Sequence, residues 1–500
     1  MDYIVNWVKN PRSERGLVLF GQAGTGKSSI AHEVAHLFDK KCLGSYFAFL
    51  RKEQSKDDAY QLFTTLARDL SDRNPAFKHA LGRVVKDKSS LRSAREYRTL
   101  FECLLLEPLK NLPHFGPIVI IIDALDESGD TVGKSGLHTF LAQNLIDLPP
   151  NFRVFITSRP ENGIELAFAD ARSVRTIYVN DPKLAARTEQ DIALYLQNEL
   201  PEEVFKDYGV QLAKAAEGVF QWAAVASSFI NSPSNLGLSM KRRVQRLLGH
   251  SRGLNGEGLL DNLYEEVLKE FFKSVQAQAL FRSIIGPVLA AIEPLSINSL
   301  ITLRRHAPID NPEDSDPALV LDILRHLGSL LSNVTSSDAT RPIVPLHSSF
   351  RDFLTSKTSN VFYVDLGDAH HQLAHSCLTI MLDNLKFNIC KLESSHLANI
   401  DVPDLKSRIA KYVPPSLSYA CSYWDDHLGH VSFERELFQK LRSLFESKFL
   451  FWLEVLSIMN SVGFASPALS SLSMWLHEEV GTSRNPTWHV VTFPFCVKSQ

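Results

Sequence analysis

The chain has 500 residues, 44 % apolar and 22 % charged, with a formal net charge of −3. That length exceeds what one core usually supports, so three or four domains of ordinary soluble globular type are expected. The near-neutral balance offers no global attraction to nucleic acid or to an anionic membrane. Six cysteines (Cys42, Cys103, Cys377, Cys390, Cys421 and Cys496) form no C-x-x-C pair, which suits reduced thiols better than a disulfide framework or a zinc site. The first residues lack the basic-then-apolar layout of a secretory signal, and the most apolar runs, 117–125 and 218–230, fall short of the roughly 20 residues of a membrane span. A cytoplasmic protein is expected, with no span and no nucleic-acid partner.

In chain order, the run LVLF (17–20) reads as a short buried strand. It is followed by Gly21-Gln-Ala-Gly24-Thr25-Gly26-Lys27-Ser28-Ser29 and then by helical spacing through Ile30, Val34, Ala35 and Phe38. Strand, glycine-rich loop and helix are the context that G-x-x-x-x-G-K-[ST] requires. Glycines let backbone N–H groups curl around phosphates, and the helix N-terminus adds the positive end of its dipole. Lys27 is placed to reach the β- and γ-phosphates, and Ser28 to ligate Mg²⁺.

GSYFAFL (44–50) reads as a second strand. PIVIIIDALDES (117–128) is a third, continuous enough to be covered on both faces and ending in acids. Acids at the C-terminal end of a parallel strand lie on the ligand side of a sheet. Asp123 is expected to hold hydrated Mg²⁺ with Ser28, and Asp126 and Glu127 to orient or deprotonate an attacking water. RVFITSRP (153–160) ends in Arg159, which reads either as a sensor of the terminal phosphate or as a surface arginine after a strand. RTIYV (175–179) supplies a fifth strand, and helical patterns such as Leu62, Phe63, Leu66 and Leu70 lie between, so a parallel three-layer sheet is expected.

Beyond Asp181 helical spacing dominates. The Gly-, Ser- and base-rich tract 231–258 reads as a linker, and its cluster Lys241, Arg242, Arg243 and Arg246 as a solvated helix rather than a nucleic-acid surface. A β-type run at 341–350 leading into RDFL suits a winged helix. His371 and His375 have the i, i+4 spacing of a helical metal pair, but the glutamate of H-E-x-x-H is missing and no third ligand is evident.

GQAGTGKSSIA, IIIDALDE and VFITSRP at these separations resemble the NACHT-type domain of signal-transducing NTPases, and especially the nephrocystin-like P-loop domains of fungal NOD-like receptors. AAEGVFQWAA resembles that group's helical-domain signature and LHSSFRDFL its winged-helix signature. SLSYACSYWDDHL is similar to a segment that precedes the group's C-terminal repeats. The resemblance implies an α/β plus all-α chain: a P-loop nucleotide-binding domain (1–182), a helical domain (183–250), a winged-helix domain (251–365), a C-terminal helical domain (366–480) and a tail (481–500). It implies ATP/ADP and Mg²⁺ as cofactors, with Gly21, Gly24, Thr25, Gly26, Lys27, Ser28 and Ser29 on the phosphates, Asp123 on Mg²⁺, Asp126 and Glu127 as the remaining acids, and Arg159 as sensor. His347 matches a histidine that reaches the β-phosphate of ADP in relatives; a packed structural histidine is the other reading. Gly218-Val-Phe replaces the G-x-P motif of animal receptors, so no adenine contact carries over.

The function so implied is an ATP/ADP switch that oligomerises in the ATP state, hydrolyses slowly, and signals in innate-immunity-like, self/non-self or cell-death pathways through effector and sensor parts outside this chain. An AAA-like turnover ATPase and a degenerate scaffold that binds nucleotide without hydrolysing it are the alternatives.

Overall fold

The computed structural model describes residues 1–49, 58–88, 91, 94, 96–110, 112, 116–128, 136–179, 181, 185–231, 239–250, 257–309, 311–334, 338–356, 360–394 and 396–482. The chain divides into two compact units, one of 1–267 together with 347–349, the other of 268–346 and 350–500.

The first unit is built on five parallel strands: β1 (Gly16–Phe20), β2 (Leu43–Ala48), β3 (Ile118–Asp123), β4 (Phe152–Ser158) and β5 (Val174–Tyr178), in the order β2-β3-β4-β1-β5. The five runs read as strands in the first 180 residues are strands here. Because side chains alternate across a strand, Leu17, Leu19, Val119 and Ile121 enter one core with Trp7, Val34 and Phe38 from the helices Asp2–Lys9 and Lys27–Phe38. Val18, Phe20, Ile120 and Ile122 enter a second core on the opposite face, with Leu62, Phe63, Leu66 and Leu70 from the helix Asp58–Arg73. Apolar residues on both faces are what a parallel sheet covered by two helical layers needs. The three-layer α/β expectation therefore holds.

The rest of this unit is helical: Ala185–Glu199, Glu202–Ala215, Phe220–Asn231, Met240–His250 and Glu257–Phe271, the last only as far as residue 267. The tract read as a linker contains an 11-residue helix, Met240–His250; its 232–238 and 251–256 stretches lie outside the described residues. Its basic cluster is not a solvated face throughout. Arg243 is only 1 % exposed and donates through one nitrogen to the carbonyls of Phe229 and Ile230, while Lys241 pairs with Asp207 and Arg246 with Glu266. A guanidinium on the last carbonyls of a helix satisfies acceptors that the helix itself cannot.

In the second unit the helix Leu366–Asn384 packs against Pro415–Leu428, Val275–Ala290 and Arg435–Ser447. The run 341–350 is not a strand. Pro342 and Pro345 make only isolated antiparallel bridges, to Ser296 and Leu331, and a helix starts at Ser348. Two prolines, each lacking the N–H that a ladder needs, account for this. The tail assigned to 481–500 lies outside the described residues except for its first two, which end the helix Ala465–Thr482. Cys42, Cys103, Cys377, Cys390 and Cys421 are free thiols, and Cys496 lies outside the described residues. No helix among the described residues is long and apolar enough to cross a membrane.

Candidate functional site

The strand order brings three chemically different strand ends together. β1 runs into the glycine loop, β3 into the acids and β4 into Ser158-Arg159, and β4 pairs with both of the others. Gly24 (φ 76°) and Gly26 (φ 88°) are in the left-handed region that favours glycine. The helix then begins at Lys27 with Gly26 as its N-cap, so its first-turn N–H groups have no intrahelical acceptor and face the loop. The Lys27 ammonium sits at the mouth of that loop, 2.7 Å from the Gly21 carbonyl oxygen and 3.0 Å from that of Gln22. Burial lowers its pKa below the ordinary lysine value, and Asp126 only partly opposes this. Thr25 is buried and donates to the Gln22 carbonyl at 2.9 Å, whereas Ser28 and Ser29 are exposed.

Asp123, 3 % exposed, is the centre of the polar network. Its Oδ1 accepts from Ser28 Oγ at 3.2 Å and from Thr157 Oγ1, and its Oδ2 accepts from Tyr46 OH at 3.1 Å. Burial first, then the neighbouring carboxylate, push the Tyr46 hydroxyl well above its usual pKa, so it remains a donor. Immediately after Asp123 the chain turns through Ala124, a non-glycine at φ 58°. Such a conformation costs of order 1–3 kcal/mol and survives where neighbours fix it. Here Thr157 Oγ1 accepts from the Ala124 N–H at 3.0 Å. The turn directs Asp126 back at Arg159, whose Nε lies 3.2 Å from Oδ2 and whose backbone N–H donates to Oδ1 at 3.0 Å. Both oxygens of Asp126 are thus engaged, while Glu127 is half-buried on the same turn.

These residues fit the group that the sequence implies. A serine hydroxyl beside a buried carboxylate is an oxygen-only pair suited to a hard divalent cation such as Mg²⁺. The glycine-shaped loop with a lysine at its mouth suits a polyphosphate.

Two further segments join this unit. Gln221 N donates to the Gly24 carbonyl at 3.0 Å, and a Cβ on Gly26 would lie 3.9 Å from the Phe220 ring, so the start of the helix Phe220–Asn231 lies against the loop. The segment 347–349 belongs here as well, far along the chain from the rest. Arg159 donates through its second terminal nitrogen to Ser348 Oγ at 3.1 Å. His347 Nδ1 accepts from the Ser349 N–H at 3.1 Å and lies 2.7 Å from Ser349 Oγ, which is 2.9 Å from Tyr264 OH. An accepting Nδ1 leaves the proton of the neutral ring on Nε2.

Sequence reasoning did not single out Tyr46, Thr157, Phe220, Tyr264, Ser348 or Ser349. Tyr46 and Thr157 were findable in principle, since both lie near the C-terminal ends of strands, but which strands flank Asp123 follows only from the strand order.

Residues 2–159 match the family model described as Nephrocystin 3, N-terminal, which ends at Arg159. That span coincides with the region in which the phosphate, acid and arginine motifs resemble nephrocystin-like domains. Among curated proteins no match was found. Among solved structures the chain is similar to a Signal Transduction ATPase with Numerous Domains (STAND) protein with a tetratricopeptide repeat sensor from Pyrococcus horikoshii. The identity is 16 %, the TM-score 0.37, and the alignment covers 96 % of this chain and 64 % of that one. A TM-score that low does not establish a common arrangement of the two chains.

Proposed function

We propose that the chain is an ATP/ADP-dependent molecular switch of the STAND, NOD-like type, working in the cytoplasm, closed with ADP and opened to an oligomerising form by ATP. When bound, Mg²⁺ would neutralise phosphate charge between Ser28 and Asp123. Gly21, Gly24, Thr25, Gly26, Lys27, Ser28 and Ser29 hold the phosphates. Tyr46 and Thr157 keep the Asp123 carboxylate oriented. Asp126 and Glu127 orient or deprotonate water in a slow hydrolysis that resets the state. The domain limits of 182, 250, 365 and 480, and a winged helix spanning 251–365, form part of this proposal.

The observation that carries the reading is the position of Arg159. Its guanidinium holds Asp126 beside the acids and Ser348 in a segment 189 residues further along the chain. A terminal phosphate on the loop is a third claimant for the same cation, so its presence and the Ser348 contact compete. A hydrogen bond to a charged group is worth about 1.5–3 kcal/mol. Taking a switch from 1:99 to 99:1 needs about 5.5 kcal/mol, so Arg159 alone is insufficient. His347, whose Nε2–H can donate to a diphosphate, and Mg²⁺ must supply the remainder.

The test is the nucleotide content and solution mass of purified wild type and His347→Ala. Co-purified ADP on a wild-type monomer, lost in the variant together with a shift to larger species, is the expected result. Brisk steady hydrolysis with no retained nucleotide and an unchanged variant would identify a turnover ATPase instead. Retained nucleotide with neither hydrolysis nor assembly would identify a scaffold.

A further inference from the structure

The histidine pair in the second unit, for which the sequence offered no third ligand, has one in the fold. His371 and His375 lie one turn apart on the helix Leu366–Asn384 and present Nε2 atoms on the same face. Glu434 is the N-cap residue of the helix Arg435–Ser447, yet its side chain caps no backbone N–H. Its Oε2 instead lies 2.7 Å from His371 Nε2 and 3.2 Å from His375 Nε2. The three donor atoms lie within 4.8 Å of one another. We propose that His371, His375 and Glu434 form a binding site for one divalent transition-metal ion, Zn²⁺ by preference, that clips these two helices of the second unit together.

The donor set decides the class of ion. Two imidazoles and one carboxylate suit Zn²⁺ and its borderline neighbours, whereas Mg²⁺ and Ca²⁺ take oxygen ligands. Around a tetrahedral Zn²⁺ with bonds of about 2.0–2.2 Å, neighbouring donors are about 3.3 Å apart. Glu434 therefore retreats from His371 by roughly half an ångström and hardly moves relative to His375. Three protein ligands leave a fourth position for water.

The surroundings favour metal over a permanent ion pair. His375 is 1 % exposed, and its Nδ1 lies 3.0 Å from the Lys440 ammonium, which can only donate, so Nδ1 accepts and the ring proton sits on Nε2. To become a ligand the ring must change tautomer. The ring proton leaves Nε2, which then offers its lone pair to the metal, and appears on Nδ1. Glu436 Oε1 stands 3.5 Å from Nδ1 and can accept it, the carboxylate–histidine–metal arrangement that orients zinc ligands. Lys440 Nζ, now 3.0 Å from Nδ1, already pairs with Glu436 at 3.2 Å and stays with that carboxylate when it yields the ring. The charged and titratable groups at this site are therefore His371, His375, Glu434, Glu436 and Lys440.

The experiment uses the full chain in excess Mg²⁺, which competes with the added metal for the oxygen pair Ser28 and Asp123. Zn²⁺ is titrated by calorimetry and Co²⁺ by visible absorption. One saturating equivalent is expected, with a four-coordinate Co²⁺ spectrum. Because loss of an outer-shell partner costs 10–100-fold in affinity, His371→Ala and Glu434→Gln, which remove ligands, should each weaken binding by about a hundredfold or more. Glu436→Gln should weaken it about tenfold. Both ligand variants alter partly exposed side chains and leave the buried His375 in place, and far-ultraviolet circular dichroism checks their fold. No saturable uptake by the wild type would overturn the site, as would uptake of equal affinity in both ligand variants.

Discussion

At the scale of single residues, two buried aspartates show how environment divides one residue type into two roles. Asp123 accepts from three hydroxyls, those of Ser28, Thr157 and Tyr46, so its carboxylate is held in one orientation, as the proposed cation role requires. Asp425, on the helix Pro415–Leu428, is buried first and foremost, with Asp426 beside it, and its pKa is pushed up to about 7. The sign of its contribution follows from linkage. A carboxyl with a raised folded-state pKa favours folding while protonated, fully below its unfolded value, and that contribution is lost as pH rises towards 7. The slope is at most about 1.4 kcal/mol per pH unit. Asp425→Asn removes this dependence. Comparison of the thermal midpoints of wild type and variant at pH 5, 6, 7 and 8 should show the variant gaining on the wild type up to about pH 7 and by little beyond. A constant difference would mean that Asp425 is already ionised at pH 5.

At the scale of elements, the phosphate loop shows what a sequence can and cannot disclose. Gly24 and Gly26 were legible as the glycines of an expected phosphate loop, and their φ of 76° and 88° lies in the region that favours glycine. The second constraint on Gly24 was not legible: a Cβ there would lie 2.6 Å from Gln221 Cβ, nearly two hundred positions away in the sequence. All five strands were readable because each is a local apolar run. Their order was not, because pairing is non-local, so Tyr46 and Thr157 beside Asp123 went unseen. The same reason hid Glu434 from His371 and His375, and the burial of Arg243 from a reading based on local charge. The strand expected at 341–350 failed on chemistry that was present in the sequence, since Pro342 and Pro345 lack ladder donors. Gly24→Ala incurs about 1–3 kcal/mol for a left-handed alanine, with an overpacking cost of about the same size against Gln221. It is expected to lower the urea midpoint and abolish nucleotide retention. Gly82→Ala is the control, because nothing lies within 4 Å of a Cβ there and the residue sits in the helix Pro75–Asp87. That change should stabilise by about 0.5–1 kcal/mol. Equal behaviour of the two variants would remove the argument for a constrained loop.

At the scale of the whole molecule, the two proposed ligand sites fall in two different compact units. The phosphate loop, the acids, Arg159 and the segment 347–349 lie in the first; His371, His375 and Glu434 lie in the second. A ligand that binds only folded protein stabilises what it binds by RT ln(1 + [L]/Kd), about 2.7 kcal/mol at a hundred times Kd. If the units unfold separately, scanning calorimetry should resolve two transitions. ADP with Mg²⁺ should then raise one of them, and Zn²⁺ the other, by several degrees. His371→Ala should cancel the Zn²⁺ shift and leave the ADP shift intact, while Lys27→Ala should do the reverse. If the units unfold as one, both ligands will move a single transition, yet each variant will still cancel only its own ligand's effect. The two-site assignment therefore survives either form of cooperativity. It fails if Zn²⁺ moves the transition that ADP moves and Lys27→Ala abolishes both shifts, because the metal would then be acting at the loop and the histidines would be packing alone.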